Sequence, residues 1–143
     1  MAAGHPIIEQ LALEQIEHNL FRGYSENLGT PRVFGGQVIG QALIAALRTV
    51  NDRHCHSLHG YFLRPGDPSL PIIYEVDRIR DGRSFTTRRV IAIQSGQAIF
   101  NMSCSFQVLE TGLRHQMEAP DVPKPDDLPD ENEVFASRTQ KLP

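Results

Sequence analysis

Two adjacent glycines, Gly35 and Gly36, open a segment with helical periodicity and form the first candidate binding site of this sequence. The first amides of a helix lack partners within the helix, the helix dipole favours negative charge there, and glycine leaves the backbone accessible. Such a start can bind the oxyanion that develops at a carbonyl under attack, and the adjacent Gln37 is a further candidate. The alternative interpretation is that the glycines let the helix pack closely against a sheet.

Three histidines, His54, His56 and His59, surround Cys55. Imidazole and thiolate groups are zinc ligands, and a thiol beside a histidine can act as a nucleophile. Alternation along a strand, however, places His56 and His59 on opposite faces and turns the two neighbouring histidines away from Cys55. We therefore predict no metal site and expect structural or substrate-lining histidines, with His59 as a candidate binding residue.

Several arginines lie around the predicted turn at Asp81 and Gly82. These are Arg78, Arg80, Arg83, Arg88 and Arg89. Guanidinium groups bind phosphates well, but a charged hairpin more often protects a sheet edge from aggregation, and we expect that role here. Arg64, beside a Pro-Gly turn, has the same two alternatives and is kept as a candidate binding residue.

The element that must position the glycines is a helix predicted from Gly35 to Val50. Gln37, Gln41 and Arg48 form one narrow polar stripe on it, and apolar residues cover the rest of its circumference. A surface helix has the reverse pattern, so we expect a curved sheet to enclose this one.

The remaining segments have the alternation of strands. We predict a short helix at Ile7–Leu13 and strands at Glu14–Tyr24, His56–Arg64, Ile72–Arg80, Phe85–Gln94 and Ala98–Val108. In the last strand Ala98, Phe100, Met102, Cys104, Phe106 and Val108 alternate with Ile99, Asn101, Ser103, Ser105 and Gln107. The first set should form core, and the second set either lines a cleft or is exposed. The predicted fold class is α+β.

Composition limits the function further. A chain of 143 residues with 40% apolar residues suits one globular domain, and a net charge of −3 gives no support for a nucleic-acid partner. Two cysteines outside any metal or disulfide motif predict reduced thiols and a cytoplasmic location. We expect neither a signal peptide in residues 1–6 nor a membrane span, because no apolar run reaches ~20 residues. Residues 1–110 are the predicted domain, and residues 111–143 a proline-rich acidic linker.

Several motifs in this order resemble the amino-terminal half of acyl-CoA thioesterase II. They are Leu20–Gly23, Val33–Leu43, His56–Asp67 and Ser103–Gln107. The similarity runs from about Leu11 to Pro129. It implies a single hot-dog fold, in which an antiparallel sheet wraps one long central helix. It also implies hydrolysis of acyl-CoA to free fatty acid and coenzyme A, without cofactor or metal.

In that family two hot-dog repeats share one polypeptide, and the second repeat carries the Asp, Thr or Ser, and Gln that orient water. The resemblance therefore implies a chain that pairs with a second repeat or self-associates, with weak or no activity alone. By loose repeat-to-repeat matching, Cys55 replaces the catalytic Asp, while Thr86 or Thr87 and Gln107 are weak catalytic candidates. The resemblance makes Gly35, Gly36, Gln37, His59 and Arg64 candidate acyl-CoA-binding residues, and the arginines near Asp81 candidates for coenzyme A phosphates.

Two other functions stay open. The chain could be a non-catalytic acyl-CoA-binding or assembly module. It could also be a hot-dog hydratase or dehydratase, but those enzymes use an Asp/His pair in the loop before the helix, and residues 25–36 contain neither residue type. Fold alone does not decide among these functions.

Overall fold

The computed structural model describes residues 6–25 and 29–139. Residues 1–5, on which most of the expectation about a signal peptide rests, lie outside the described residues. Residues 26–28, part of the loop before the central helix, also lie outside them. The elements are α1 (Pro6–Gln10), β1 (Glu14–Glu17), β2 (Leu20–Gly23), α2 (Gly35–Leu47), β3 (His54–Phe62), β4 (Ile72–Asp81), β5 (Phe85–Gln94), β6 (Gln97–Gln107) and α3 (Glu131–Thr139). The strands form one antiparallel sheet in the order β1-β2-β4-β5-β6-β3, so β3 is an edge strand.

Helix α2 begins at Gly35 as predicted but ends at Leu47, before the predicted Val50. Thr49 causes the earlier end, because both its amide and its hydroxyl donate to the carbonyl of Ala46. The buried side of the helix consists of Gln37, Val38, Gln41, Ala42, Ala45 and Ala46. The two glutamines of the polar stripe thus face the interior.

The opposite side of α2 is only half covered. Ile39 and Leu43 are half-buried there, and Leu47 is exposed. The sheet leaves this side of the helix partly uncovered, because a single sheet can cover only one side of a helix.

The predicted single strand from Glu14 to Tyr24 is instead a hairpin of β1 and β2. A turn at His18 and Asn19 separates the strands, and the His18 amide donates to the carboxylate of Glu17 at 2.8 Å. Phe21 is fully buried, whereas Ile16 is exposed. Loose alternation of apolar residues does not distinguish one strand from two short ones when the turn is this tight.

The other strands confirm the alternation. Ile72, Tyr74 and Val76 of β4 are buried against the helix, as are Phe100, Met102, Cys104 and Phe106 of β6. The turn between β5 and β6 has positive φ at both Ser95 and Gly96, the geometry that a two-residue hairpin favours. Ile99 departs from the prediction and is buried, because the ladder shifts register between Ala92 and Ile93 opposite it.

Arg88 differs most from its prediction, which was an exposed arginine that protects a sheet edge. It points into the core with 1% of its surface exposed. Its guanidinium donates to the hydroxyl and carbonyl of Thr49, to the carboxylate of Asp81 at 2.6 Å, and to the carbonyls of Arg80 and Thr87. A buried guanidinium is tolerated because its donors have acceptors. Arg88 therefore fixes the carboxyl end of α2 to β4 and β5.

The chain divides into two compact units, residues 1–110 and 111–143. The described part of the second unit contains a 3₁₀ turn at Pro125–Asp127 and helix α3. The start of α3 is capped by Asp130, whose carboxylate accepts from the Asn132 amide at 2.8 Å. This helix was not expected in a linker. No helix among the described residues is long and apolar enough to cross a membrane.

Candidate functional site

A cavity of about 380 Å³ lies where α2 begins, β3 ends and β6 starts. Its apolar lining consists of Val33, Val38, Phe62, Leu63, Ile99 and Phe100. The guanidinium-bearing Arg32 and Arg64 also line it, together with Gly35. Neither a carboxylate nor an imidazole is among the described residues that line this cavity. It therefore combines apolar volume with positive charge, and none of the described residues that line it is a carboxylate or imidazole that could activate water.

Backbone hydrogen bonds fix the walls of this cavity. The Val33 amide donates to the Gly66 carbonyl at 2.9 Å, and the Leu63 amide donates to the Ile99 carbonyl at 2.8 Å. The Arg64 side chain donates to the carbonyl of Ala98 at 2.7 Å, which ties the turn after β3 to the start of β6. The turn segments around the cavity are thus attached to the sheet and to one another.

The two predicted glycines have different surroundings. Phe34 precedes the helix and makes no side-chain capping hydrogen bond, so the first amides of α2 are left for water or a ligand. Gly35 lines the cavity. Gly36 lies beside the Phe34 ring instead, since a Cβ there would be 2.5 Å from the ring. Gly35 is therefore the better placed of the two to contact a ligand in the cavity.

The side-chain amide of Gln37 makes a hydrogen bond within the domain. Its Nε2 donates to the carbonyl of Tyr24 at 2.8 Å, and Gln41 donates to the same carbonyl and to that of Gln10. A Cβ at Gly23 would lie 2.5 Å from Oε1 of Gln41, so β2 passes directly over this amide. The structure thus places Gln37 in the anchor that holds β2 against the helix start, and not in the cavity lining.

The histidines of β3 lie away from the cavity, on the sheet face that points away from α2. A bulge between Cys55 and Ser57 shifts the register, and Nε2 of His56 lies 2.9 Å from Oγ of Ser105. His59 is paired with Ser103 and packs edge-on against Tyr61, with ring centroids 4.8 Å apart. His56 and His59 therefore share a face, and the prediction of opposite faces is wrong because of the bulge. No group of three or more potential metal ligands occurs among the described residues.

The structure does not bring the two weak catalytic candidates together. Thr86 is paired with Phe106 and is buried on the helix-facing side of the sheet. Gln107 follows Phe106, so its side chain points to the other face, where Nε2 donates to Glu110 at 3.3 Å. Cys55 is also paired with Phe106, and burial raises the pKa of its thiol above the ordinary value. A thiol with a raised pKa is a weak nucleophile at neutral pH.

The arginines of the β4–β5 hairpin lie at the other end of the sheet from the cavity. Arg89 pairs with Asp77 at 2.9 Å, and Arg78 donates to the side chain of Asn19 at 2.8 Å. Arg53 donates to the carbonyls of Gly82 and Arg83 and so closes the hairpin. Within this group Arg88, which donates to Thr49, is next to the carboxyl end of α2, whereas Gly35 is at the amino end.

Sequence reasoning did not single out Arg32 or Phe62 among the residues that line the cavity, and it left Ile99 between a cleft-lining and an exposed position. Arg32 could have been found from its position three residues before Gly35, which keeps it near the helix start. Phe62 is the last residue of β3, just before the Pro65-Gly66 turn, so its position near the cavity could also have been predicted from the sequence. The burial of Ile99 depends on a bulge for which the sequence has no signal.

A sequence model described as "Acyl-CoA thioesterase N-terminal domain" matches residues 23–107, a range that includes the helix start and every strand that forms the cavity. The chain belongs to this family. The resemblance noted from the motifs is thereby confirmed.

Relatives of this acyl-CoA thioesterase N-terminal domain are similar over most of the chain. "Acyl-CoA thioesterase 2" of Haemophilus influenzae is 47% identical over 96% of this chain and 48% of its own length. "Acyl-coenzyme A thioesterase 8" of Mus musculus is 50% identical over 84% of this chain and 38% of its own length. The chain thus spans about half, or less, of the curated relatives it matches.

Solved structures confirm the fold. A structure titled as an acyl-CoA thioesterase II TesB2 from Mycobacterium marinum has a TM-score of 0.80 and 50% identity over 90% of this chain and 49% of its own. A protein from Alicyclobacillus acidocaldarius described with a hot dog fold has a TM-score of 0.76 at 23% identity, which bears on the fold alone. The single hot-dog fold predicted for this acyl-CoA thioesterase N-terminal domain is therefore correct.

Proposed function

We propose that this chain is the amino-terminal half of an acyl-CoA thioesterase, which hydrolyses acyl-CoA to free fatty acid and coenzyme A. The observation that carries the proposal is the cavity at the start of α2, where a free helix terminus, apolar walls and two guanidinium groups lie together. The apolar walls suit an acyl chain, and Arg32 and Arg64 suit the phosphates of coenzyme A. The Gly35 amide is placed to stabilise the oxyanion.

In the reaction, water attacks the thioester carbonyl, a C–O bond forms, and the electron pair of the C=O bond moves to oxygen. Collapse of this intermediate breaks the C–S bond, and the sulfur leaves as thiolate or thiol. The Gly35 amide at the helix terminus would stabilise the intermediate, where negative charge is largest. Because no described cavity-lining residue is a carboxylate, we infer that a second domain supplies the base that activates water.

A second hot-dog domain is the source that fits best. Strand β3 is an edge strand of the described sheet, and its Leu58 and Phe62 are exposed. Large apolar groups along an unpaired edge favour association with another strand. Antiparallel pairing of two β3 strands would bring the beginning of the partner's β3 beside the end of this one. The partner's counterpart of Cys55, an Asp in the second repeat according to the family resemblance, would then lie near Gly35.

The test is release of free thiol from acyl-CoA substrates of several chain lengths. The 143-residue chain is assayed alone and after addition of the part of the Haemophilus influenzae relative that this chain does not cover. We expect no turnover above buffer from either part alone and turnover from the mixture. Turnover by the chain alone would refute the half-enzyme proposal, and absence of turnover in a mixture that forms a stable complex would refute the thioesterase proposal.

A second candidate function is a non-catalytic acyl-CoA-binding module, and the lack of a carboxylate in the described cavity lining favours it. Binding of acyl-CoA by the mixture without thiol release would identify this function. We infer a role in fatty-acid metabolism from the proposed substrate. We also infer a cytoplasmic location, because Cys55 and Cys104 are both free thiols.

A further inference from the structure

We propose that the ring of Phe62 is a constriction at the opening of the cavity that limits the length of the acyl chain the site accepts. The inference rests on the proposed function, since it concerns the substrate selectivity of the same cavity. It does not depend on which domain supplies the base, because it concerns only the apolar path inside this chain.

Phe62 and Phe100 form an aromatic pair in the lining of the cavity. They are directly opposed in β3 and β6, and their ring centroids are 4.9 Å apart at a tilt of 42°. The two rings differ sharply in environment, since Phe100 is 1% exposed and Phe62 is 57% exposed. Phe100 is therefore part of the core, and Phe62 stands at the opening of the cavity.

Two glycines make room for this pair. A Cβ at Gly35 would lie 2.9 Å from Cζ of Phe62, so the Phe62 ring occupies the space beside the first residue of α2. A Cβ at Gly60 would lie 2.6 Å from Cζ of Phe100. The Phe62 ring therefore fills the gap between the end of β3 and the start of the helix.

This position lies directly on the route of an acyl chain. The thioester carbonyl would bind at the Gly35 amide, and the apolar interior beyond it is formed by Val38, Ile99 and Phe100. A chain that runs from Gly35 toward this interior must pass the Phe62 ring. Removing the ring should open the path to additional methylene groups, and a larger ring should shorten it.

The test measures binding of non-hydrolysable thioether analogues of acyl-CoA with chains of 4 to 16 carbons, roughly the range that separates short from long apolar ligands. Binding is measured on the chain alone and on the mixture with the complementary domain. We expect Phe62→Ala to raise the affinity for the longest analogue relative to the shortest about tenfold, which corresponds to roughly two more buried methylene groups. Phe62→Trp should change the ratio in the opposite direction.

Tyr61→Ala is the matched control, because Tyr61 is adjacent in β3 and similarly exposed but lies on the opposite face. Gly35→Ala tests whether the two positions are coupled, because the added Cβ would displace the Phe62 ring. The effect of Gly35→Ala on the chain-length profile should be much smaller when Phe62 is already alanine.

The outcomes separate the two proposals. If the unaltered protein binds no analogue under either condition, the proposed function fails and the inference fails with it. If it binds the analogues but Phe62→Ala leaves the chain-length profile unchanged, or Tyr61→Ala shifts it equally, only the role of Phe62 is overturned. Thermal unfolding of each variant verifies that a change in binding is not a loss of fold.

Discussion

The hydroxyl of Tyr74 donates a hydrogen bond of 2.7 Å to Oε1 of Gln41, and neither side chain is exposed to solvent. Nε2 of Gln41 donates to the carbonyls of Gln10 and Tyr24. One buried amide thus connects strand β4, the residue after β2 and the end of α1 to the central helix. Because the helix start carries the cavity, this polar connection determines where the candidate site lies relative to the sheet.

The first prediction concerns Tyr74→Phe. The substitution keeps the ring but leaves Oε1 of Gln41 buried without a donor, which costs about 1–3 kcal/mol. We expect the free energy of unfolding in urea to fall by that amount at pH 7. Tyr61→Phe, at an exposed position, is the control and should have almost no effect. Equal stability of the two variants would show that the buried bond contributes nothing.

The same pair predicts a dependence on alkaline pH. Burial raises the pKa of Tyr74 far above its ordinary value. The unfolded chain therefore releases this proton at about pH 10 while the folded chain retains it, and stability falls as the pH rises beyond that value. Tyr74→Phe should flatten the fall in an unfolding series between about pH 8 and pH 11. An unchanged slope would contradict the prediction.

The second prediction concerns acid. The Arg88 guanidinium, which donates a hydrogen bond to Asp81, lowers the pKa of that carboxyl below its ordinary value. The unfolded chain thus binds this proton at a higher pH than the folded chain, and the contribution to stability is present above the ordinary pKa and lost as the pH falls. Asp81→Asn should be less stable than the unaltered chain at pH 7, and the difference should shrink between about pH 5 and pH 3.

Asp77→Asn is the control for this acid effect, since the Asp77–Arg89 pair is about half exposed on both sides. Exposed ion pairs contribute little to stability, so this variant should follow the unaltered chain at every pH. If Asp77→Asn and Asp81→Asn have the same pH profile, the burial of Arg88 is not the reason for the effect.

The regular elements were predictable from the sequence because their patterns are long and clearly bounded. Strands β4 to β6 have steady alternation, and Asp81-Gly82 and Ser95-Gly96 mark their turns. Helix α2 was predictable because apolar residues surround it. The β1–β2 hairpin was not, since four-residue strands are too short to show a pattern.

The candidate site was predictable only in part, for physical reasons. Gly35 was found because its chemistry follows from the helix start itself. The positions of His56 and Ile99 depend on register shifts in the sheet, which residue types do not encode. The burial of Arg88 depends on acceptors from three separate segments, Thr49, the end of β4 and β5. Such convergence is a property of the tertiary fold.

The third prediction separates two candidate phosphate-binding groups. Arg32 lines the cavity, whereas Arg83 lies at the opposite end of the sheet. Arg32→Gln should weaken binding of a long-chain acyl-CoA thioether about five- to tenfold and reduce its salt dependence. It should leave binding of the matching N-acetylcysteamine thioether, which has no phosphate, unchanged. Arg83→Gln should leave the binding of both ligands unchanged. If Arg83→Gln weakens acyl-CoA binding and Arg32→Gln does not, the phosphates bind at the hairpin.

The fourth prediction concerns Cys55→Asp, which inserts a carboxylate where the family resemblance expects one in the second repeat. Cys55 and Thr86 flank Phe106 on the helix-facing side of the sheet, but Gln107 points to the other face. Thr86 is also almost completely buried, so water has no access to it. The three groups cannot converge on one water molecule, and the single substitution should not create a hydrolytic site.

We therefore expect thiol release by Cys55→Asp to equal that of the unaltered chain, measured with and without the complementary domain. The variant should also be less stable than Cys55→Ser, because the burial that raises the pKa of the Cys55 thiol also penalises a charged carboxylate at this position. Turnover gained by Cys55→Asp alone would show that Thr86 or Gln107 can reach the same water molecule. In that case the opposite orientation of Thr86 and Gln107 would not prevent hydrolysis by this chain.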